Sequence, residues 1–374
     1  MLRRLITLNH FPRIYLHPKM SSSKVSSNAS SLGPQVSRPV QEEPRPQPYY
    51  HHNGTSWIPS TSPPSIHTAP AINPKTLRLI SWNIDFQQPF GKERMIAALS
   101  YLSSLVASAP KETPLVIFLQ EMTSSDLILI QESKWIQQRF HITDITPQNW
   151  LEPGYGTTTL IDRRLGIKNV FRVPWYSNFS RDGLFVDILL SQSSSPSRGL
   201  DGNGDNTNIL RLCNTHLESL VATPPIRPFQ VSAAAPYLQS ATAALIAGDF
   251  NAIEPFDRTL HTDNNLKDTY LELGGKEDSD EGYTWGIQVP DWLRERFGCS
   301  RMDKILFTGE IEAQGFERVG VDVKVAEEDR EDFREMGLTE WVTDHFGVMG
   351  DFALSGDLRL NVEWGEEEVK SKLA

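Results

Sequence analysis

Cysteine, long apolar runs and an excess of positive charge are all missing from this sequence of 374 residues. Its two cysteines, Cys213 and Cys299, exclude a disulfide-rich secreted scaffold and a zinc site built from cysteines. No apolar stretch reaches the roughly 18 residues that a membrane-spanning helix needs. The net charge of −11 excludes a protein that coats nucleic acid through bulk positive charge, so any nucleic-acid contact is expected to be local.

Several catalytic signatures are absent as well. The sequence has no Gly-x-Ser-x-Gly nucleophile elbow, which excludes a serine hydrolase of that type. It has no Gly-x-x-x-x-Gly-Lys-Ser/Thr loop and no Gly-x-Gly-x-x-Gly fingerprint, so neither a P-loop NTPase nor a dinucleotide site is indicated. Cys213 sits within an apolar run beside Asn214, which favours an inert buried thiol over a nucleophile.

Residues 1–74 differ in composition from the rest of the chain. They hold 12 of the 25 prolines, seven Lys/Arg and only two acids. Such a stretch cannot bury enough apolar surface to order itself, which predicts a disordered basic leader. Residues 1–40 contain no acid and begin Met1-Leu-Arg-Arg, a composition that suits a mitochondrial transit peptide. A plain basic tail, or a start at Met20, are the alternatives.

From Lys75 onward, strand-like and helix-like segments alternate. The spacing predicts a helix over 93–106 and another that begins near Thr123 and runs to about Phe140. Residues 191–208 are rich in Ser, Gly, Asn and Asp, which predicts a mobile surface insertion. The acidic segment 325–340 is expected to be a solvated helix or loop, and 357–374 a weakly structured acidic tail. Strands are predicted at 77–83, 115–121, 157–161, 183–190, 209–216, 244–250, 303–307 and 347–354.

Polar residues recur where the predicted strands end. A single acid at a strand end is more often a turn or cap residue than a functional one. Several such positions in one chain indicate a site, because ligands of open α/β sheets bind at strand ends. The positions are Asn83, Glu121, His216, the pair Asp249 and Asn251, and the pair Asp344 and His345.

The residue types at these positions agree on one chemistry. Glu121 and Asp249 offer hard oxygen ligands, and the sequence has no His-x-x-x-His pair. This favours Mg²⁺ or Mn²⁺ over Zn²⁺. Two asparagines and two histidines nearby supply neutral donors for phosphate oxygens and a cation for developing charge.

Four motifs occur in order along the chain at suitable spacing: Ser81-Trp-Asn83, Leu119-Gln-Glu121, Gly248-Asp-Phe-Asn251 and Thr343-Asp-His345. Together they resemble the endonuclease/exonuclease/phosphatase superfamily, the metal-dependent phosphoesterases related to deoxyribonuclease I. The resemblance covers roughly residues 75–355. It implies a four-layer α/β/β/α sandwich of two packed mixed sheets, with a catalytic domain over 75–356.

Finer motifs follow in order along the chain: Ser81-Trp-Asn-Ile-Asp85, Asn214-Thr-His-Leu-Glu-Ser219, Tyr283-Thr-Trp285 and Arg301-Met-Asp-Lys-Ile305. They are similar to the tyrosyl-DNA phosphodiesterase 2 branch, which hydrolyses 5′-phosphotyrosyl bonds that trapped topoisomerases leave on DNA. The similarity implies a DNA-repair role and a monomer that acts on single-stranded or frayed 5′ DNA ends. It also implies a nuclear location, with cytoplasm or mitochondrion as alternatives. The stretch after His216 is longer than in that branch, the 191–208 insertion is foreign to it, and no ubiquitin-binding module is evident.

The resemblance also implies roles for the strand-end residues. Glu121 would bind Mg²⁺, with Asp249 beside it and Asn83 placing the metal or a phosphate oxygen. Asp249 would take the proton of the attacking water, and Asn251 would orient that water or the phosphate. His345 would stabilise the phosphorus centre, and His216 would donate a hydrogen bond to a phosphate oxygen.

Further residues would support these groups. Asp344 would hold His345 in place, and Asp303 would lie behind the site. Arg181, Ser219 and Asp85 would contact the substrate. For Trp285, stacking on a DNA base and packing in the core are equally favoured. Tyr155 in Pro-Gly-Tyr-Gly is a turn aromatic first and a substrate contact second.

Residues 75–374 contain 45 acids against 29 bases, which is unusual for a DNA enzyme. We therefore expect weak, salt-sensitive DNA binding through a few bases near the motifs. Two alternatives remain. One is another superfamily member, such as an abasic-site endonuclease, a deadenylase, or an inositol or sphingolipid phosphoesterase. The other is a catalytically silent binding protein on the same scaffold. The candidate bases are Arg163, Arg164, Arg181, Arg227, Arg258 and Lys304.

Overall fold

Two mixed β-sheets of eight strands each carry the fold in the computed structural model, which describes residues 43–60, 74–192 and 208–362. In the first sheet, seven strands follow one another across the sheet and an eighth pairs with the third of them. They are β1 (Arg45–Pro46), β8 (Ile167–Pro174), β9 (Asp182–Gln192), β10 (Ile209–His216), β11 (Ala243–Asp249), β13 (Asp303–Gly309) and β12 (Lys267–Asp268), with β16 (Leu358–Leu360) on β9.

The second sheet is also continuous from edge to edge. Its central strands β4 and β5 are parallel, and the others pair antiparallel. In spatial order the strands are β14 (Ile311–Val319), β15 (Gly347–Leu354), β4 (Thr76–Asn83), β5 (Leu115–Met122), β7 (Gly156–Asp162), β6 (Phe140–Ile142), β2 (Tyr49–His52) and β3 (Trp57–Ser60).

Helices cover the outer faces of the sheets. None of the helices in the described part of the chain is long and apolar enough to cross a membrane. Short 3₁₀ turns lie at Pro147–Asn149, Pro255–Thr259 and Glu327–Asp329. The α-helices are α1 (Gly91–Ser108), α2 (Ser124–Glu132), α3 (Lys134–Arg139), α4 (Arg227–Gln239), α5 (Leu260–Asp263), α6 (Thr269–Glu272), α7 (Asp291–Phe297) and α8 (Arg330–Glu335).

Strand alternation divides the apolar side chains among three cores. In β4, Leu79 joins the core between the two sheets, while Ile80 and Trp82 point outward beneath helices α1 and α2. Helix α4 covers the outer face of the first sheet and contributes Val231 and Leu238 to a third core. These layers confirm the predicted four-layer sandwich.

Helix α2 begins where the sequence predicted it. The Thr123 side chain accepts a hydrogen bond from the amide of Asp126, and the Asp126 carboxylate accepts one from the Thr123 amide, which is a capping box. The predicted single helix to Phe140 is wrong, because Ser133 has an extended backbone and separates α2 from α3.

The predicted disorder of residues 1–74 is wrong for 43–60. Strand β1 joins the first sheet through β8, and the β2–β3 hairpin joins the second through β6. Tyr49 and Tyr50 are buried, with 8% and 5% of their surface exposed, so this short aromatic run does bury the apolar surface that the average composition seemed to lack. Residues 1–42 and 61–73, which include the targeting prediction, lie outside the described residues.

The domain also extends beyond its predicted carboxyl-terminal limit at residue 356. Strand β16 pairs with β9, and Leu358, Leu360 and Val362 are buried in the core between the sheets. The domain therefore includes the described residues 43–60 and 358–362 in addition to those of the predicted range 75–356. Residues 363–374 and the greater part of the predicted insertion, 193–207, lie outside the described residues.

The acidic segment 325–340 is only partly solvated. It holds a 3₁₀ turn and α8, and the side chains of Val325 and Phe333 are fully buried. The segment is thus anchored to the domain through its few apolar residues.

Candidate active site

Parallel strand pairs place the predicted residues at one edge of the sandwich. β4 lies parallel to β5 in one sheet, and β10 lies parallel to β11 in the other. Across the first sheet, His216 is level with Asp249, and Asp249 is level with Asp303. Gly248 makes this alignment possible, because a Cβ there would lie 1.7 Å from the Thr215 carbonyl oxygen and the backbone φ is +153°.

Asp249 is the centre of the hydrogen-bond network. Its Oδ2 lies 3.0 Å from the Asn83 amide Nδ2 and 3.3 Å from His216 Nε2. Its Oδ1 accepts from the Asn251 backbone amide at 2.8 Å, and His345 Nε2 is 3.8 Å from Oδ2. Burial opposes ionisation of Asp249, but the charge of His345 and the hydrogen bond from His216 outweigh burial and hold its pKa below the ordinary value.

His345 is held by Asp303. Its Nδ1 lies 2.8 Å from Asp303 Oδ2, whereas the oxygen of Asp344 is 3.8 Å from Nε2. The prediction that Asp344 orients His345 is therefore wrong, because these adjacent residues do not share the Nδ1 contact. Burial lowers the pKa of His345, but the carboxylates of Asp303, Asp249 and Asp344 outweigh burial and raise it well above the ordinary value. His345 is thus a buried cation.

His216 is held by Arg181. The Arg181 guanidinium donates to His216 Nδ1 at 2.8 Å and to Ser219 Oγ at 2.8 Å. Burial, and then the Arg181 charge, lower the pKa of His216 to about 4, although Asp249 raises it. His216 is therefore neutral near pH 7. With Nδ1 accepting from Arg181, its proton lies on Nε2 and faces Asp249.

Glu121 lies just beyond these histidines. Its Oε1 is 3.8 Å from His216 Nε2, and its Oε2 accepts from the Phe86 amide at 3.2 Å. Its backbone φ is +59°, the left-handed region that turns the side chain out of the strand direction. Burial raises its pKa to about 7, with Asp344 and Asp249 adding to the rise while Arg181 and His345 oppose it.

Asp85 extends the acidic side of the cleft. Its amide donates to Asn83 Oδ1 at 2.9 Å, and its φ is +58°. Burial, with the charges of Asp344 and Glu121, raises its pKa well above the ordinary value. The negative charge of the carboxylates in the cleft therefore exceeds the positive charge of His345 and Arg181.

That imbalance fits a divalent cation. Ligand atoms of Asp249, Asp303 and His345 lie within 4.8 Å of one another. Asp303 is fully buried and already hydrogen-bonded to His345, so this hydrogen bond accounts for the short distances without a metal ion. Glu121 is a candidate ligand as well, because burial, with Asp344 and Asp249, raises the pKa of its carboxyl, and a nearby cation would offset that rise. Oxygen ligands of this kind suit Mg²⁺ or Mn²⁺.

Tyr155 stands at the side of the cleft. Its ring stacks on Phe86 with centroids 4.3 Å apart and an interplanar angle of 12°, and the Arg181 guanidinium lies 5.3 Å from its centroid. Its hydroxyl donates to the Phe179 carbonyl. Tyr155 thus supports Arg181 from one side. Phe86 was not predicted from the sequence.

Trp285 supports Asp344. Its indole Nε1 donates to Asp344 Oδ2 at 2.8 Å, and its backbone forms an isolated bridge with His345. The ring is half-buried and approaches Phe297 edge-on at 6.5 Å. Trp285 is therefore a wall residue of the cleft.

A polar contact between the two sheets lies beneath the site. The Gln120 amide donates to Asn214 Oδ1 at 2.8 Å and to Ser81 Oγ at 3.0 Å. It links β5, which carries Glu121, to β10, which carries His216. Sequence reasoning missed this contact, although two amides within otherwise apolar strands were a signal for it.

Most of the bases expected to contact DNA are engaged elsewhere. Arg227 is buried and pairs with Asp257, and Lys304 is buried and pairs with Glu277. Of the six candidates, Arg181 is the one whose side chain reaches the predicted site residues in the described contacts. Its Nε is a buried donor with no partner among the described residues.

These contacts define a class of protein. A hydrogen-bonded acid and histidine network at the edge of a four-layer sandwich, with a surplus of carboxylates, suits hydrolysis of a phosphate ester. The chain has the architecture of a phosphoesterase.

Comparison with protein families identifies the family. The model of the Endonuclease/Exonuclease/phosphatase family matches residues 80–345, which is more than half of the chain, and the chain belongs to that family. No curated protein matches the sequence.

Solved structures with a similar fold include TDP2 proteins. Humanized D. rerio TDP2 with 14 mutations is 18% identical with a TM-score of 0.53, over 74% of this chain and 99% of that chain. D. rerio TDP2 complexed with single strand DNA product is 16% identical with a TM-score of 0.53, over 74% and 98%. Truncated Caenorhabditis elegans TDP2 is 17% identical with a TM-score of 0.53, over 74% and 97%. At these identities the similarity shows the fold.

Proposed function

We propose that this protein is a Mg²⁺-dependent phosphodiesterase that hydrolyses 5′-phosphotyrosyl bonds at DNA ends. The observation that carries the proposal is the chain of contacts from Arg181 through His216 and Asp249 to His345 and Asp303. It places a cation, neutral donors and an ionised carboxylate around one point. An in-line attack at phosphorus requires this positioning and charge stabilisation, and little covalent work.

Glu121 and Asp249, assisted by Asn83, are the residues that would hold the metal. Mg²⁺, or Mn²⁺ in its place, would polarise a phosphoryl oxygen and stabilise developing negative charge. The surplus of carboxylates at Glu121 and Asp85 is what supports this assignment.

Asp249 and Asn251 would organise the attacking water. The low pKa of Asp249 keeps it ionised, so it would accept a hydrogen bond from the water and take its proton as the new P–O bond forms. In the same step the P–O bond to the tyrosyl oxygen breaks and the tyrosine leaves as a phenolate. The backbone amide of Asn251 donates to Asp249 Oδ1. Asn251, whose backbone φ is +48°, therefore lies next to the carboxylate that would accept the proton of the water.

The cationic and neutral donors would bind the phosphate. Protonated His345, fixed by Asp303, faces the charge that develops at phosphorus. Arg181 contributes its Nε, which has no hydrogen-bond partner in the described part of the chain, and Ser219 and His216 lie within hydrogen-bond distance of its guanidinium. Loss of Arg181 would therefore disturb two neighbours as well as its own phosphate contact.

The DNA strand would leave the cleft beside α7. This helix presents exposed Trp292, Phe297 and Arg296 next to Trp285, whereas its Arg294 donates to the backbone carbonyls of Gly286 and Ile287. Aromatic rings and arginines together bind single strands without reading sequence. A DNA-repair role, a nuclear location and a monomeric state belong to the same proposal.

A substrate panel tests the proposal. The full chain is incubated with Mg²⁺ and a 5′-phosphotyrosyl single strand, an abasic duplex, poly(A), or an inositol phosphate. We expect free tyrosine and a 5′-phosphate end from the first substrate at a rate well above any other reaction. Metal-dependent cleavage of another substrate without tyrosine release would place the protein in a different branch of the family.

A further inference from the structure

Four large apolar side chains are exposed on three loops beside the cleft. Tyr176, Leu220, Val221 and Ile253 have 54%, 66%, 62% and 39% of their surface exposed. We call these four residues the apolar rim. A single exposed apolar residue is ordinary. Here Leu220 directly follows Ser219, and Ile253 is two residues beyond Asn251, so the rim is continuous along the chain with the catalytic residues.

Buried polar contacts hold the three loops in place. Gln230 accepts from the Glu218 amide and donates to the Tyr176 carbonyl. The Arg227 guanidinium donates to the Leu220 carbonyl and pairs with Asp257. Loops tied together in this way present their apolar side chains at fixed positions.

Asp257 and Leu220 show how the loops are held. The Asp257 carboxylate accepts from the Ile253 amide, which connects the third loop to the Arg227 contact. Leu220 has φ at +64°, a conformation that branched and bulky residues rarely adopt. The chain therefore holds Leu220 outward in spite of an unfavourable backbone.

The charge of the three loops argues against a DNA phosphate as the occupant. Residues 176–180, 217–226 and 251–257 contain no Lys or Arg. Of the arginines that directly follow these ranges, Arg181 donates to His216 in the cleft, Arg227 is buried against Asp257, and Arg258 pairs with Asp278.

On this basis we infer that the apolar rim binds the polypeptide portion of the substrate, through apolar residues that flank the scissile tyrosine. The inference rests on the proposed function and names the second half of its substrate. A chain of three residues spans about 10 Å. Residues two or three positions from the tyrosine can therefore reach Leu220 and Val221 while the phosphate is bound near Ser219.

Three substrates test the inference with the full-length protein. Each is the same single-stranded oligonucleotide with a 5′ phosphotyrosyl group. The tyrosine is alone, or lies in a pentapeptide with leucine and isoleucine flanks, or in one with glycine and serine flanks. The kcat/KM for tyrosyl release reports the proposed function on the first substrate, and the ratio between the two peptides reports the rim.

We expect the wild-type protein to prefer the apolar peptide over the polar one by about tenfold, as partial burial of two aliphatic side chains predicts. The double variant Leu220→Ser with Val221→Ser should reduce this ratio to below about twofold and leave the single-tyrosine rate within about twofold. The matched control, Ile96→Ser with Ile128→Ser on the outer helices, should keep the preference. Higher salt should lower all three rates without changing the ratio.

Equal rates on the two peptides, or a preference that survives in the rim variant, would overturn the inference while the single-tyrosine rate upholds the proposed function. Absence of tyrosine release from all three substrates would overturn both. A dimer in solution that dissociates in the rim variant would show that a second copy of the chain occupies the rim, and would also overturn the inference.

Discussion

Asp303 Oδ2 lies 2.8 Å from Nδ1 of His345, although the two residues are 42 positions apart in the sequence. The contact joins β13 of the first sheet to the segment that precedes β15 of the second. It fixes the ring, and it leaves Nε2 directed toward Asp249. The orientation of His345 thus depends on the packing of the two sheets against each other.

Replacing Asp303 by Asn should lower kcat by about 10²-fold or more, because the histidine loses the carboxylate that holds and charges it. The pKa of His345 is raised by Asp303, so its loss lowers that pKa, and the alkaline limb of the kcat profile should move to lower pH. The Asp344→Asn variant is the control. An Asp344→Asn variant with the larger loss of kcat would contradict the assignment of Asp303.

Glu121→Gln should lower kcat by about 10²–10⁴-fold and raise the Mg²⁺ concentration needed for half the maximal rate. Its thermal midpoint should equal or exceed that of the wild type without metal. The raised pKa of Glu121 means that folding disfavours its charge, so removal of the charge cannot destabilise the fold at neutral pH. A large fall in the midpoint would indicate a structural role instead.

Two amino-terminal deletions should differ in thermal midpoint according to whether they remove strands β1 to β3. Deletion of residues 1–42 is expected to leave the thermal midpoint and the activity unchanged. Deletion of 1–60 should lower the midpoint, because it removes β1 to β3 and Gln47, whose Oε1 accepts from the buried Arg172 at 2.8 Å. Gln47→Leu alone should cost about 1–3 kcal/mol of unfolding free energy. Equal midpoints for the two deletions would contradict the assignment of 43–60 to the sheets.

Glu277 should make stability depend on pH. Burial opposes its ionisation, but Lys304 and Arg301 outweigh burial and lower its pKa. A lowered carboxyl pKa gives stability that is present above the ordinary glutamate pKa and lost as pH falls through the folded value. Glu277→Gln should therefore cost about 1–3 kcal/mol at pH 7, and the difference from the wild type should narrow below about pH 4.

Urea unfolding at several pH values measures this difference. Exposed Glu281→Gln, four residues away, is the matched control and should follow the wild type throughout. A Glu277→Gln deficit that stays constant down to pH 3 would show that packing, and not charge, accounts for the loss.

Short sequence patterns predicted several elements of the fold correctly. Apolar runs that end in polar residues predicted β4, β5, β10 and β11, because a buried strand requires such a run and its end requires a turn. The capping pair of Thr123 and Asp126 predicted the start of α2 for a similarly local reason. The predicted site residues meet in one cleft because the polar ends of these strands share one edge of the sandwich.

Other features were not predictable from neighbouring residues. The partner of His345 was assigned to Asp344 by adjacency, whereas the sheet packing supplies Asp303. Average composition concealed the short Tyr49–His52 strand within a proline-rich stretch. Helix α4 contains Pro228 and Pro236, which mask its periodicity.

The central claim is that Asp249 organises a metal-dependent attack of water on a 5′-phosphotyrosyl bond. The most direct measurement is single-turnover release of tyrosine from a 5′-phosphotyrosyl oligonucleotide by the full-length wild type and by Asp249→Asn, with Mg²⁺ or with EDTA. We expect release by the wild type with Mg²⁺ only, and a rate at least about 10²-fold lower for Asp249→Asn. The thermal midpoint of the variant should be lower, because the ionised carboxylate stabilises the fold, but the variant should remain folded at the assay temperature. An Asp249→Asn protein as fast as the wild type, or release that persists in EDTA, would contradict the claim.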